Sequence, residues 1–405
     1  MLELGPMLRA LMRNKIGALL IALQIALTLT IMVNAIFMMQ ERNRQMARAS
    51  GVDEQNTFYL SNTVFGENYP LQSALARDLD QIRKTPGVVA ATQINAIPLS
   101  GGGWSMGLQT KPGDDVDGTG TAIYFVDTQG IAALGVELLA GENFSESDIS
   151  WRERSSNKWP PKIIITQTLA EKLFEGDWKK ALGQTVYINN HDPMQVTGIV
   201  KSLQSPWNGW DNTEHASLVP SQLENKGSRL FIRTEPGRRD ALMPQIEKML
   251  ADSDKQRIIR NVKTMTETRE ESYREHQATN NILLTVIIVL TLVTGFGIVG
   301  LAMFSINRRT RQIGTRRALG ASQWQIMRFF MLENLLISSL GVVLGIGGAI
   351  GLNIWLVSTF AMTPLTPGLL LVGCAALLLV GQLAVSYPAL IAARISPATA
   401  TRGRA

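Results

Sequence analysis

Cysteine is almost absent from this sequence. The one residue, Cys374, sits inside a long apolar run, so no disulfide can form within the chain and any domain outside the membrane must be held by its own packing. Histidine is nearly as scarce. His191, His215 and His276 are scattered without partners at metal-ligand spacing, and Glu214 beside His215 reads as part of a solvated loop. The dipeptide Gly-Lys never occurs, which excludes a Walker A phosphate loop and the usual way of binding ATP. Two motif look-alikes fail on context. Gly103-Trp-Ser105-Met-Gly107 fits the nucleophile-elbow pattern, but no hydrophobic strand precedes it and no helical pattern follows, so a flexible loop is expected. Gly295-Phe-Gly297-Ile-Val-Gly300 fits the dinucleotide pattern but lies in an apolar run, where helix packing is its natural use. No catalytic residue, cofactor site or metal ligand is therefore assigned.

Acidic residues are missing from a defined part of the chain. Residues 40–281 hold 27 Lys+Arg and 31 Asp+Glu, whereas the remainder holds 12 basic and 2 acidic residues. The net +6 is thus a matter of topology rather than of nucleic-acid binding. Apolar runs of spanning length cover Ile16–Met39, Ile282–Ile306, about Leu335–Phe360 and about Leu369–Ala393, which places the spans at 16–39, 282–306, 322–360 (the third with a cytoplasmic lead-in) and 368–393. Arg9, Arg13 and Lys15 precede the first run, six arginines follow the second, and Arg394, Arg402 and Arg404 follow the fourth. Arginine beside a span marks the cytoplasmic side, so both termini and the 307–321 connection are expected inside and residues 40–281 outside. Arg42, Arg44 and Arg48 oppose that assignment and are outnumbered. The first run, at 24 residues, is too long for a signal h-region of roughly 7–15 and is expected to stay as an anchor.

The fold class expected is an α-helical membrane protein: four transmembrane helices, with a large α+β domain of two subdomains inserted between helices 1 and 2. Residues 1–15 form a cytoplasmic amphipathic lead-in, with Leu4, Met7, Leu8 and Leu11 at helical spacing. Within the first span, Gln24, Thr28 and Thr30 are placed to face other helices. In the outer domain, strand–helix–strand patterns recur at Thr57–Asn95 and Arg229–Lys263, so one subdomain (57–126 plus 221–263) is interrupted by another (127–220). Thr264-Met-Thr-Glu267 is a capping box that starts a helix polar on all sides as far as Asn281, expected to stand clear of any core as a stalk. With the polar continuation of the first span after Gln40, that makes two stalks. In the third span Gly341/Gly345 and Gly347/Gly351 are spaced four apart and allow close approach of another helix.

The stretch Ile306–Phe330 carries Arg308, Arg309, Arg311, Arg316, Arg317 and Arg328 and no acidic residue. Gly320 is placed to end a short basic helix, and Ser322 with Gln325 forms a capping box for the next span. The segment Arg311-Gln312-Ile313-Gly314-Thr315-Arg316-Arg317-Ala318-Leu319-Gly320-Ala321 resembles the ATPase-coupling segment of MacB/FtsX-type ABC transporter permeases, with Gln312 standing where that pattern usually has glutamate. Leu332-Glu333 matches the leucine–glutamate pair at the membrane boundary of the next span, and Ile395–Arg402 resembles the C-terminal tail. Phe125–Phe144 and Ile163–Phe174, followed by Leu182-Gly-Gln-Thr, look like the MacB-type periplasmic core.

The resemblance implies an inner-membrane permease that works as a dimer with a separate cytoplasmic ABC ATPase holding ATP and Mg, and that passes ATP-driven movement to its periplasmic domain. Export from the periplasm with an adaptor protein is the leading expectation. Lipoprotein release and control of a cell-wall hydrolase are the alternatives, and a membrane-anchored hydrolase using Ser105 is the reading from a different class.

Overall fold

The computed structural model describes residues 15–153, 155–360 and 364–396. The expected lead-in helix at 2–13, residues 361–363 of the third connection, and the tail from 397 with Arg402 and Arg404 lie outside the described residues. The helices run α1 (Lys15–Met46), α2 (Leu71–Arg83), α3 (Gly130–Leu134), α4 (Gln167–Leu173), α5 (Arg239–Ser253), α6 (Met265–Ala318), α7 (Gln323–Phe360) and α8 (Pro367–Ala393). The strands are β1 (Thr57–Val64), β2 (Val88–Ile94), β3 (Trp104–Gln109), β4 (Thr119–Val126), β5 (Leu138–Gly141) and β6 (Ser150–Glu153). They continue as β7 (Lys162–Thr166), β8 (Thr185–Ile188), β9 (Asp192–Val200), β10 (Ala216–Glu224), β11 (Gly227–Thr234) and β12 (Arg257–Thr264). Two compact units result: residues 1–44 with 276–405, and residues 45–275.

In the first unit, α1, α6, α7 and α8 are each long and apolar enough to cross a membrane. The polar rungs of α1 face two neighbours. Gln24 Nε2 donates to Val293 O (2.9 Å) and Thr28 meets Thr294 (2.8 Å) on α6. Thr30 Oγ1 donates to Gly345 O (3.3 Å) and Asn34 Nδ2 to Ala349 O (3.2 Å) on α7. Between the rungs Ile25, Leu29 and Val33 are buried against Ile298, Val342 and Leu377. Lipid cannot hydrogen-bond, so each rung both satisfies a polar side chain and sets helix register.

Helix α6 departs from expectation. The sequence reads as a stalk, a span and a separate basic helix, but all three form one 54-residue helix. No proline lies between Met265 and Ala318, and the first true stop is Gly320, at φ +96°.

In the second unit, the two strand–helix–strand halves interleave into one four-stranded sheet, β12-β1-β11-β2. Period-2 alternation sends Phe58, Leu60, Leu230 and Ile232 to the face covered by α2 and α5. Tyr59, Phe231 and Ile94 go to the opposite face.

The second sheet closes on itself. Its order is β4-β3-β8-β9-β7-β10, and β10 pairs back onto β4 in parallel, making a six-stranded barrel; β6 and β5 attach to β10 and β9. Leu108, Ile123, Phe125, Ile163, Ile165, Val186, Val196 and Ile199 fill one core. The alternate residues Ala122, Tyr124, Val126 and Ile164 pack outward with Tyr59, Ile94 and Phe231 in another.

Two boundaries are corrected. Strands β3 and β4, expected in the 57–126 subdomain, and β10, which runs past 220, belong to the barrel. Side-chain amides of Gln93 in β2 and of Asn95 just past its end join it to the first sheet. Gln93 exchanges both bonds with the backbone of Leu223 (2.9 and 2.8 Å), while Asn95 bonds Ile123 O (2.9 Å) and Phe125 N (2.7 Å). Each amide imitates a strand neighbour.

The start of α6 is also not free of a core. Its capping box is formed, with Thr264 N donating to Glu267 (2.9 Å) and Glu267 N to Thr264 Oγ1 (3.0 Å). Met265, Thr268 and Tyr273 are nevertheless buried, because a mostly polar helix still presents one narrow face to the domain.

Candidate functional site: the turn between α6 and α7

The turn is built from both flanking helices. At the end of α6, Gly320 N donates to Arg317 O (3.1 Å) and Ala321 N to Arg316 O (3.0 Å), a Schellman closure that only a left-handed residue at 320 completes. Arg317 Nη1 adds a bond to Ala321 O (2.9 Å). Helix α7 then opens with the expected box: Ser322 N donates to Gln325 Oε1 (2.9 Å) and Gln325 N to Ser322 Oγ (3.2 Å). Beneath the turn, Ile306 and Ile313 of α6 pack on Ile326 and Phe330 of α7 and Ala389 and Ala392 of α8.

The coupling-segment residues divide by exposure. Ile313 and Gly314 are buried, Ile313 within that packing, whereas Arg311, Gln312, Arg316, Ala318, Leu319 and Gly320 are exposed; Arg317 and Ala321 are half-buried. Leu319 is 83% exposed and Trp324, just beyond the capping residue, 61%. Two large apolar side chains standing in solvent beside cations form a surface suited to a protein partner rather than a folded core. Arg316 lies over the Phe329 ring at 5.1 Å, fixing its direction. Trp324 was not legible as a site residue; the signal available was a tryptophan placed on the solvent side of a capping box.

Arg309, counted in sequence only as a topology charge, makes a two-pronged bond to Glu333, both oxygens at 3.0 Å. Glu333 is buried, and its neighbour Asn334 donates to Gly381 O (3.0 Å) on α8. The pair fastens α6 to α7 about three turns behind the exposed tip.

Of the four glycines singled out in the third span, Gly341, Gly345, Gly347 and Gly351, two meet another helix. A Cβ on Gly341 would lie 2.7 Å from Ala22 O, and one on Gly345 2.9 Å from the Leu29 Cβ. Gly347 and Gly351 face open space, since four-residue spacing repeats a face only approximately and theirs is turned from α1. Gly348 takes that place instead, against Thr30.

The remaining candidates take structural places. Ser105 lies within β3, paired with Ala122, not in a flexible loop; Trp104, Met106 and Leu108 alternate inward around it. No elbow geometry exists there. His215 sits on the barrel seam with Nδ1 3.3 Å from both Thr119 Oγ1 and Gly120 O, not in a solvated loop, and burial lowers its pKa. Trp207 and Trp210 stack edge-to-face at 5.5 Å and pack against the core. Gly297 of the dinucleotide look-alike lies against Gln24. Among the described residues no group of three His, Cys, Asp or Glu could hold a metal.

Comparison with known proteins covers both units. Residues 18–249 match the family model for the MacB-like periplasmic core domain and residues 284–397 that for the FtsX-like permease C-terminal region. The macrolide export ATP-binding/permease protein MacB of Azoarcus sp. is 32% identical over 254 residues, covering 58% of this chain and 37% of that protein. MacB 2 of Aeromonas hydrophila is 28% identical over 381 residues, 88% of this chain and 54% of that protein. The pyoverdine export ATP-binding/permease protein PvdT of Pseudomonas syringae pv. syringae is 25% identical over 290 residues, 68% and 41%. The chain thus spans about half the length, or less, of these relatives. Among solved structures, the periplasmic region of MacB from Actinobacillus actinomycetemcomitans aligns at 15% identity over 59% of this chain and 98% of that one, with a TM-score of 0.32.

Proposed function

The chain belongs to the MacB-type ABC transporter permease family, and from that premise we propose that it converts ATP hydrolysis by an ABC ATPase, lying outside these 405 residues, into movement of its α+β domain. In this reading both ends of the chain and the α6–α7 turn are cytoplasmic and the domain between α1 and α6 is periplasmic, in an inner membrane. The chain acts as a dimer and supplies no cofactor site or catalytic group of its own.

The observation that carries the proposal is the exposed tip of the α6–α7 turn. Leu319 and Trp324 stand in solvent among Arg311, Arg316 and Arg328, on a corner stiffened by the Gly320 closure, the Ser322 cap and the Arg309–Glu333 pair. The tip continues without a break into α6, whose first turns lie in the outer domain. A push delivered there need cross no loop.

Export from the periplasm with an adaptor protein is favoured among the possible tasks, because two relatives named for export, MacB 2 and PvdT, match 88% and 68% of this chain. The test is copurification of tagged full-length chain with an ABC ATPase. The complex should be recovered with the wild type and lost with Leu319→Asp or Arg316→Glu, neither of which touches a buried position. Absence of any ATPase from the wild-type pull-down overturns the proposal.

A further inference from the structure

The end of α1 and the start of α6 converge on one short segment, Ser50–Glu54, within the outer unit. Arg269, in the second turn of α6, donates from Nη2 to the carbonyls of Met46 (2.5 Å) and Arg48 (2.6 Å) and from Nη1 to Glu54 Oε1 (2.5 Å). The last carbonyls of a helix have no partner of their own, and a cation there also complements the helix dipole. The Glu54 carboxylate takes a second bond from Ser50 Oγ (2.5 Å). Its backbone oxygen accepts from Thr266 Oγ1 (3.2 Å) on α6 and from Arg239 Nη1 (3.3 Å) at the start of α5.

The same segment is seated on the barrel. Gln204 N donates to Ser50 O (2.9 Å), and Asp53 N to Leu134 O (3.3 Å) at the end of α3. Gly51 lies so close to Ser202 that a Cβ would come 2.1 Å from its carbonyl oxygen. The five residues Ser50–Glu54 therefore touch α6, α5 and the flank of the barrel, and through Arg269 the end of α1.

We propose that Glu54 and Arg269 form a clasp that fixes the end of α1 to the first turns of α6, making Arg269 the positioning residue through which displacement of α6 is imposed on both subdomains together. The proposal rests on the coupling function above. The start of α6 does not depend on the clasp for its folding: the Thr264–Glu267 box and the buried Met265 and Thr268 anchor it independently. Loss of Arg269 removes the bonds to the last carbonyls of α1 and leaves the helix in place, while Asn280–Asn43 (2.9 Å) and the Gln24 and Thr28 rungs still join the two helices further along. A charge-assisted bond to two carbonyls and a carboxylate at once needs the planar fork of arginine, which lysine reproduces only in part.

The test uses the full chain in lipid nanodiscs with its ABC ATPase, in a Cys374→Ala background with spin labels at Ala47→Cys and Arg274→Cys. Both label positions are exposed and lie in the outer unit. The 47–274 distance should be narrow and unchanged through ATP turnover. It should broaden in Arg269→Met, less in Arg269→Lys, and least in Glu54→Gln, which keeps the two carbonyl bonds. With Arg269→Met, ATP hydrolysis should continue while the ATP-driven displacement of a third label on the barrel is lost. A narrow distance retained in Arg269→Met, or barrel displacement equal to wild type, overturns the clasp. If ATP displaces nothing in the wild type, the coupling proposal itself fails. Should Arg269→Met fail to fold, Arg269→Lys carries the same comparison, with a smaller broadening expected and a distance as narrow as wild type overturning the clasp.

Discussion

Arg309 and Glu333 join α6 to α7 by two 3.0 Å bonds, at positions 24 residues apart in a chain whose helical unit otherwise has almost no acidic residue. One carboxylate against so many arginines picks out Arg309 from the others and withdraws it from the exposed tip. Breaking such a pair from one side leaves an uncompensated charge. Glu333→Ala is expected to cost about 3 kcal/mol and to lower the melting temperature in detergent. The double variant Arg309→Met/Glu333→Leu should recover most of the loss, since no charge is then stranded. A single variant as stable as wild type would show the pair to be ornamental.

The glycine face of α7 makes a paired prediction. Gly341→Ala forces a methyl onto the Ala22 carbonyl and should destabilise the helical unit by about 1–3 kcal/mol. Gly347→Ala meets nothing within 4 Å in this chain and should change stability by no more than about 0.5 kcal/mol. Thermal unfolding of both in the same nanodisc preparation decides it.

On the barrel seam, burial holds the His215 pKa below its ordinary value, with the Gly120 carbonyl only partly offsetting it. The unfolded chain then binds the proton more readily than the folded one, so stability rises with pH through the region below about 6.5. His215→Gln should flatten that rise. Chemical denaturation of the full chain at pH 5 and pH 7 gives the comparison.

Asp148 behaves in the opposite chemical sense. Its bond with Lys162 first, and then those with Ser145, hold its pKa down at about 2. The contribution is present above the usual carboxylate range near 4 and is lost as pH falls through about 2. Asp148→Asn should therefore cost about 1 kcal/mol at pH 7, discounted for its solvent contact, with the cost falling away towards zero as pH drops below about 2. An equal cost at both pH values would assign the effect to packing.

The four spans, the caps at Thr264 and Ser322 and the stop at Gly320 were legible because each rests on local chemistry. So were the polar rungs Gln24, Thr28 and Thr30, which had to face helices somewhere. The barrel was not. Gly107, Gly120 and Pro220 interrupt the alternation of its strands, and closure joins β4 to β10 across some ninety residues. Pro220 marks where β10 leaves β4 for β6, a change of partner with no local signature. Within the turn, the arginines pointed to the site, but only geometry separates Arg309, held by Glu333, from Arg316, which is free to meet a partner. The Gly341/Gly345 and Gly347/Gly351 pairs look alike on paper and differ only by which side α1 occupies.

The closed barrel has a mechanical corollary. An open sheet under load peels from its outermost strand, one ladder at a time. A ring in which β4 is bonded to both β3 and β10 offers no such starting place, and force applied to any one strand is shared by two ladders at once. The inserted subdomain is therefore stiff in shear. Work done on it deforms whatever it presses against before it deforms the barrel.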